Sequence, residues 1–286
     1  MTELVSGEAI RARGDGQRYL YYHVTDRAGN VGALSRPAAL MVQATPIPRD
    51  LPPPSVPAAS GTSPRQTLNP AQAVSGVEVQ VPAKAVIYDD ESIELLWGDS
   101  GEAGGWISPA LPASTKPWAF EVPSTSIGAH QGKTLAVSYR VLPGGETPSV
   151  PLSLAVSRLS GGLPAPEIAQ AQGRASLSLR NVPASGATLL LSRWPLIGTD
   201  QRVRLAIYGA FQSGGQAQEH VVVDWHAVTE AEVFNGLRQT IPKPVLQQFA
   251  LNGFIKLRAY VSWDRGQSWP AQGSPNFPVF ELQLLA

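Results

Sequence analysis

The side chains of this 286-residue chain best suited to touch a ligand are its seven tryptophans. Trp97, Trp106 and Trp118 fall in the middle of the sequence, and Trp194, Trp225, Trp263 and Trp269 in its last third. An exposed indole offers a flat face to a sugar ring, whereas a buried one fills a core and gives its N–H to an acceptor. Trp97 and Trp225 alternate with aliphatic residues, which predicts core positions. Trp106 and Trp118 lie in Gly/Pro-rich loop sequence and are candidates to face a ligand, together with Trp263 and Trp269 near the end. Groups for catalysis or metal binding are sparse. Asp89-Asp90-Glu91 gathers hard oxygens of the kind Ca²⁺ takes, but no ladder of Asp or Asn follows, so a solvated turn is expected. His23, His130, His220 and His226 are scattered, without the spacing of a zinc site. No nucleophile elbow, phosphate loop or dinucleotide fingerprint occurs. These residues predict a chain without a catalytic centre, metal or cofactor.

Two short motifs point to recognition or to local architecture. Ser262-Trp-Asp264-Arg-Gly266-Gln-Ser268-Trp269 matches S-x-D-x-G-x-x-W, the Asp-box turn. In that motif the Ser and Asp side chains bond a hairpin loop and the Trp packs beneath it. Ser262, Asp264, Gly266 and Trp269 are therefore expected to build a stabilised β-turn. Arg13-Gly14-Asp15 is the tripeptide that integrins recognise, and it falls in a predicted turn between strands.

Composition narrows the class. Twenty-two Lys+Arg against 22 Asp+Glu leave no basic field for nucleic acid or an anionic membrane. There is no cysteine, which removes disulfides, thiolate metal sites and thiol nucleophiles. No apolar run approaches the length needed to span a bilayer, and residues 1–8 lack the features of a signal peptide. Twenty-seven Gly and 26 Pro suit many short strands joined by tight turns.

One pattern of elements recurs three times. It runs from Gly16 to Val24 and on to Leu40-Met-Val42; from Gly132 to Val141 and on to Leu152-Ser-Leu154-Ala-Val156; and from Gly253 to Val261 and on to Phe280-Glu-Leu282-Gln-Leu284. Each copy is a glycine, an alternating apolar strand, a polar loop and a second alternating strand. Val24, Val141 and Val261 stand 117 and 120 residues apart, a near-constant period that predicts tandem domains of one kind. In the first copy a strand is expected over Tyr19 to Thr25, a turn at Asp26 to Asn30 and a closing strand over Ala38 to Val42. Two or three strands cannot make a sandwich alone, so this copy reads as the end of a domain cut from a longer protein. Residues 46–76, with Pro46-Ile-Pro48 and Leu51-Pro-Pro-Pro54, read as a semi-rigid connector without strand signal. Strands follow at Val77–Val81, Ile93–Trp97, Phe120–Val122, Leu135–Val141 and Leu152–Val156, with turns at Asp89-Asp90, Gly98–Gly101, Gly104-Gly105 and Gly144-Gly145. In the third copy, Leu177/Leu179, Leu189/Leu191, Val203–Ile207 and Val221–Trp225 alternate. Pro242 to Gly253 predicts one short helix. Leu285-Ala286 ends flush with the last strand, as a natural C-terminus would.

Tyr22-His-Val-Thr-Asp26-Arg-Ala-Gly-Asn30 with Leu40-Met-Val42 resembles the end of bacterial immunoglobulin-like repeats from large surface and adhesin-type proteins, the invasin/intimin-like group. Phe120-Glu-Val-Pro123 to Val156 looks like the second half of another repeat, and Leu163-Pro-Ala-Pro166 like the opening of the next. The resemblance implies an all-β fold of tandem immunoglobulin-like antiparallel sandwiches with one short helix in the last. Its parts would be a C-terminal repeat remnant (1–45), a sandwich with a Pro-rich lead (46–160) and a terminal sandwich with a helical insertion (161–286). It implies an extracellular or cell-surface role in a longer chain, a binding face on the terminal domain and a host-surface or matrix protein or a glycan as partner. Alternatives are a carbohydrate-binding module of a secreted enzyme or toxin, and a self-assembling subunit that completes its first repeat with strands from another copy.

Overall fold

The computed structural model describes residues 4–42, 44, 48–143, 148–171 and 175–286. The predicted turn at Gly144-Gly145 and residues Pro46 and Ile47 of the Pro-rich stretch lie outside the described residues. The chain forms two compact units, Met1–Asp50 and Leu51–Ala286.

The first unit is a helix and a hairpin. α1 (Gly7–Arg13) is capped by the Ser6 side chain, which accepts from Ala9 N, and by Gly14 at φ 70°. β1 (Gly16–Leu20) pairs antiparallel with β2 (Ala38–Val42), Leu20 opposite Ala38 and Gly16 opposite Val42. The predicted strand over Tyr19 to Thr25 ends earlier as a regular ladder. Beyond Leu20 it continues by side-chain help. Tyr22 N donates to Ser35 Oγ, Ser35 N donates to Tyr22 O, and Thr25 bridges Val31 around the Asp26–Asn30 turn. None of the described residues in this unit is buried.

The second unit holds two hydrophobic cores, one in each of two sandwiches. In the first sandwich one sheet runs β3 (Ser60–Thr62), β4 (Arg65–Leu68), β11 (Leu152–Val156), β10 (Thr134–Leu142), β6 (Ser92–Trp97) and β7 (Trp106–Ile107), with β8 (Leu111–Pro112) also on β6. The facing sheet is β5 (Val77–Gln80) with β9 (Ala119–Val122). In the second sandwich β13 (Ser176–Ser178), β19 (Phe280–Leu285), β18 (Phe254–Ser262), β15 (Arg202–Gly209) and β16 (Gln218–Ala227) form one sheet. β12 (Glu167–Ile168), β14 (Ala187–Leu191) and β17 (Leu237–Ile241) form the other. The order β4-β11-β10-β6 repeats as β13-β19-β18-β15. In both, the first pair is parallel and the rest antiparallel. The fold is all-β: tandem immunoglobulin-like sandwiches. Alternation explains it. Ile93, Leu95 and Trp97 on β6 and Val203, Leu205 and Ile207 on β15 are fully buried, while Glu94, Leu96 and Arg204 between them are half-buried on the other face, where the small Ala206 is covered as well.

Two elements differ from expectation. Residues 51–68 are not a connector but the first edge of a sandwich. Gln66 and Leu68 are buried on β4, and the Gln66 amide accepts from Val56 N at 2.8 Å and donates to Val56 O at 3.0 Å. A glutamine thus holds Val56 in the core where a regular ladder is missing. The last domain also carries two helices rather than one. α3 (Lys243–Leu246) starts after Pro242, near the predicted place. α2 (Glu230–Asn235) is closed by a Thr229/Glu232 capping box, a signal present in the sequence as T-x-x-E.

Candidate functional site

β18 enters the last hairpin at Ser262, and its turn is built from the side chains the sequence singles out. Asp264 is 1% exposed. Its Oδ1 accepts from Ser268 N at 2.8 Å and from Ser262 Oγ at 3.1 Å, and its Oδ2 accepts from Ser268 Oγ at 2.7 Å. Gly266 N donates to Ser262 Oγ at 3.0 Å. The turn needs left-handed backbone at Arg265 (φ 56°) and Gly266 (φ 89°). A Cβ on Gly266 would lie 2.5 Å from the Trp269 ring, so the glycine lets the indole close over the loop.

The turn also reaches across to the first sandwich. Lys133 Nζ, just before β10, donates to Asp264 Oδ2 at 2.6 Å. Burial alone pushes the Asp264 carboxyl up, but the bonds from Lys133 and Ser268 outweigh it and hold the group below its ordinary range. Arg265 donates to Asp200 Oδ1 and to Gly101 O, and Asp200 Oδ2 accepts from Gly104 N at 2.8 Å. Below this polar layer, Leu196 belongs to the last domain in sequence but to the first sandwich's core in space, at φ 62° and 2% exposed. Its carbonyl accepts from Gln201 Nε2 at 2.6 Å, and Gln201 Oε1 accepts from Trp194 Nε1 at 2.8 Å. A Cβ on Gly128 would stand 2.9 Å from Leu196 O, so the two domains meet backbone against backbone. Trp263 packs against both cores. His130 is buried nearby, and burial pushes its imidazole below the usual range. The two sandwiches are therefore joined by an interdigitated core capped with three charge-assisted contacts, Lys133 to Asp264, Arg265 to Gly101 O and Gly104 N to Asp200.

Beside this junction lies a cleft of about 330 Å³, lined by Gln131, Arg158, Trp263, Trp269, Pro270 and Asn276 among others. Trp269, 46% exposed, forms its outer wall and also packs on Trp225, with ring centroids 4.1 Å apart and planes tilted by 56°. On the outer face of the five-stranded sheet, Glu219 accepts from Tyr260 OH at 3.1 Å and pairs with Arg204 at 3.1 Å and Arg258 at 3.3 Å.

The sequence-predicted candidates separate here. Trp263, Trp269 and the Ser262/Asp264/Gly266 turn come together at the junction. Trp118 is not ligand-facing. It is 3% exposed in the first core, and its Nε1 donates to Ala113 O at 2.9 Å, because the Gly/Pro-rich sequence around it folds back over the sandwich. Trp106 is half-buried against the same core. Trp225, expected in a core, is half-buried on the outer sheet face at φ 46°, where an irregularity between β15 and β16 re-aims its strand. Arg13-Gly14-Asp15 lies not between strands but at the end of α1, with Gly14 as the cap. Glu91 accepts from Tyr88 N at 2.7 Å, and no group of three or more potential metal ligands occurs among the described residues. Sequence reasoning missed Asp200, Leu196, Gln131 and Arg158. Asp200 and Leu196 occupy a loop that reads as connection, and only the paired sandwiches give them a role.

No family model matches the sequence, and no curated protein matches it. Among solved structures, a two-domain fibronectin type-III segment of chicken tenascin aligns over 82% of this chain and 99% of its own, at 10% identity and TM-score 0.32. The FN1–FN3 domains of chicken CNTN1 align over 93% and 77%, at 9% identity and TM-score 0.24. InvD of Yersinia pseudotuberculosis aligns over 94% and 87%, at 9% identity and TM-score 0.26. The strand order within each sandwich, rather than these distant likenesses, defines the class of the chain. Among the described residues no helix is long and apolar enough to cross a membrane.

Proposed function

We propose that this chain is a non-catalytic structural and adhesive segment of a bacterial surface protein of the invasin/intimin-like kind, with its binding face on the last domain. The observation that carries this reading is the junction. Leu196, Asp264 and Arg265 of the last sandwich are built into the first, so the pair acts as one stiff body. A stiff pair holds its terminal loops at a fixed angle away from an anchor, which a flexible linker cannot do. The partner is a host-surface or matrix protein or a glycan, met by the loops around Trp269. The test is adhesion. Beads coated with the chain should bind cultured cells or matrix-coated wells above bare beads, and Trp269→Ala should reduce that binding at temperatures below its melting transition, which the lost packing on Trp225 lowers. Binding no greater than that of bare beads rejects the adhesive reading.

A second reading, self-assembly by strand complementation, is favoured by the uncovered hairpin of the first unit, where Tyr22 is 68% and Met41 77% exposed. Light scattering distinguishes it: a concentration-independent monomer mass rejects assembly.

A further inference from the structure

The cleft at the junction brings together side chains committed to the fold and others that the fold leaves without a partner. Its aromatic wall is Trp263 and Trp269, continued by Pro270. Its polar groups divide into two kinds. Asn276 and Ser268 are committed: Asn276 bonds both the N–H and the C=O of Val261, and Ser268 serves Asp264. Two donors are not. The Gln131 side chain accepts from Leu159 N through Oε1, while its buried Nε2 has no acceptor. Arg158 is exposed on the linker after β11, and among the described residues no ion pair engages it. Among the described residues no carboxylate lines the cleft. The nearest buried acid, Asp264, is already saturated by Lys133, Ser262 and Ser268.

A concave site with two indoles and only donors left over selects a ligand with an apolar ring face and an anionic acceptor. A cleft of about 330 Å³ is at the small end of ligand sites, which suits one ring with its substituents. A single arginine in a chain of zero net formal charge does not suit a polyanion. We infer that the junction cleft is a binding site for a carboxylate-bearing sugar, a uronate or a sialate. The ring lies against Trp263 and Trp269, and the carboxylate takes a bidentate bond from Arg158. The site is a composite: Gln131 comes from the first sandwich, Arg158 from the linker and the tryptophans from the last. This inference rests on the reading that the last domain carries the binding face and names what that face takes.

The test is calorimetry on the whole chain with glucuronate, N-acetylneuraminate, glucose and an N-acetyl dipeptide acid. The expected result is that one or both acidic sugars bind and glucose binds at least about tenfold more weakly, the value of one charge-assisted bond. Arg158→Ala should remove that difference, Arg158→Lys should restore part of it, and Trp269→Ala should weaken every sugar. Arg158 is exposed, so an unchanged melting curve of Arg158→Ala confirms that the fold is intact. Trp269→Ala also loses packing on Trp225 and over Gly266, so it is compared below its melting transition with Trp269→Phe, which keeps a ring there and should retain part of the sugar affinity. The two acidic sugars, compared directly, separate uronate from sialate. Equal binding of glucose and glucuronate, binding of the dipeptide acid as tight as that of the sugars, or no heat with any sugar overturns the inference. Adhesion that persists through such a failure leaves the adhesive role standing and moves its ligand elsewhere.

Discussion

The hairpins β1–β2 and β10–β11 are wired alike and buried in opposite ways. Tyr22 N donates to Ser35 Oγ at 3.0 Å, and Tyr139 N to Ser149 Oγ at 3.1 Å. Ser35 N and Ser149 N return bonds of 2.8 Å to the two tyrosine carbonyls, and each hydroxyl donates to the carbonyl of the next residue. The registers agree: Leu20 faces Ala38 as Val137 faces Leu152, and Arg18 faces Leu40 as Leu135 faces Leu154. Yet Tyr22 is 68% exposed and Tyr139 fully buried, and Leu40 is 40% exposed and Leu154 fully buried. Local sequence sets the wiring of such a hairpin, because the serine and the proline two residues after it sit at fixed offsets. Burial depends on β4, β5, β6 and β9, which the first hairpin lacks among the described residues. The comparison therefore separates what a hairpin encodes by itself from what a sandwich adds.

The largest effect should come from the core. Leu154→Ala is expected to destabilise the second unit by about 2–5 kcal/mol, the usual cost of an emptied leucine site. Leu40→Ala, at the matching place in the first hairpin, should leave urea unfolding of the second unit unchanged. Equal losses would show that the first hairpin has a buried core in solution, and the comparison would break.

Glycines sharpen the same contrast. Gly29 (φ 90°) and Gly266 (φ 89°) take the same left-handed turn, but a Cβ on Gly29 would meet nothing within 4 Å, whereas one on Gly266 would meet Trp269 at 2.5 Å. Alanine at either place carries roughly 1–2 kcal/mol of backbone strain. At Gly266 displacement of the indole adds about 1–3 kcal/mol. Thermal melts should therefore resolve Gly266→Ala from wild type far more clearly than Gly29→Ala, and Trp269 fluorescence should shift only in the former.

The two turn aspartates extend this to pH. Asp26 Oδ1 accepts from Ala28 N and Asn30 N, and Asn30 Nδ2 donates to Oδ2; those bonds, the side-chain one foremost, hold its carboxyl low, though it is exposed. Asp264 is held low despite burial. A depressed carboxyl contributes stability above its unfolded pKa of about 3.9 and loses it as pH falls through the lower folded value. The acid limb of the second unit's stability curve should therefore flatten in Asp264→Asn, which also loses about 1.5–3 kcal/mol at neutral pH with its charge-assisted bonds. Asp26→Asn should leave that limb in place. Urea midpoints between pH 2 and 7 measure both.

Much of the architecture is legible in the residues, and the reason is periodicity. Ile93-x-Leu95-x-Trp97 and Val203-x-Leu205-x-Ile207 alternate because one face of each is a core. The Asp-box spacing foretells the bonds of Asp264 because they close within four residues. What stays hidden involves partners distant in sequence. Nothing local to Lys133 announces Asp264, and Leu196 reads as loop because the core it enters is built by residues 56–156. Trp118 and Trp225 show the limit of reading tryptophans by their neighbours: a Gly/Pro-rich setting conceals a core indole, and an alternating one conceals a strand irregularity that turns the ring outward.

The smallest effect tests the shared wiring itself. Ser149→Ala removes the acceptor of Tyr139 N inside a buried strand pair. No water replaces it there, so the cost should be the full penalty of an unsatisfied amide, about 1–3 kcal/mol. Ser35→Ala removes the same bond from Tyr22 N at an exposed site, where water substitutes and the net loss should be near or below about 0.5 kcal/mol. Amide hydrogen exchange reads both, because each serine accepts from one identifiable N–H. Tyr139 N should lose protection only to the extent that global stability falls, while Tyr22 N should exchange at close to the unprotected rate with no change in the second unit. If Ser35→Ala instead lowered protection across β1 and β2 together, the serine would be holding the hairpin as a cooperative unit, and wiring alone would suffice to order a half-sandwich without its core.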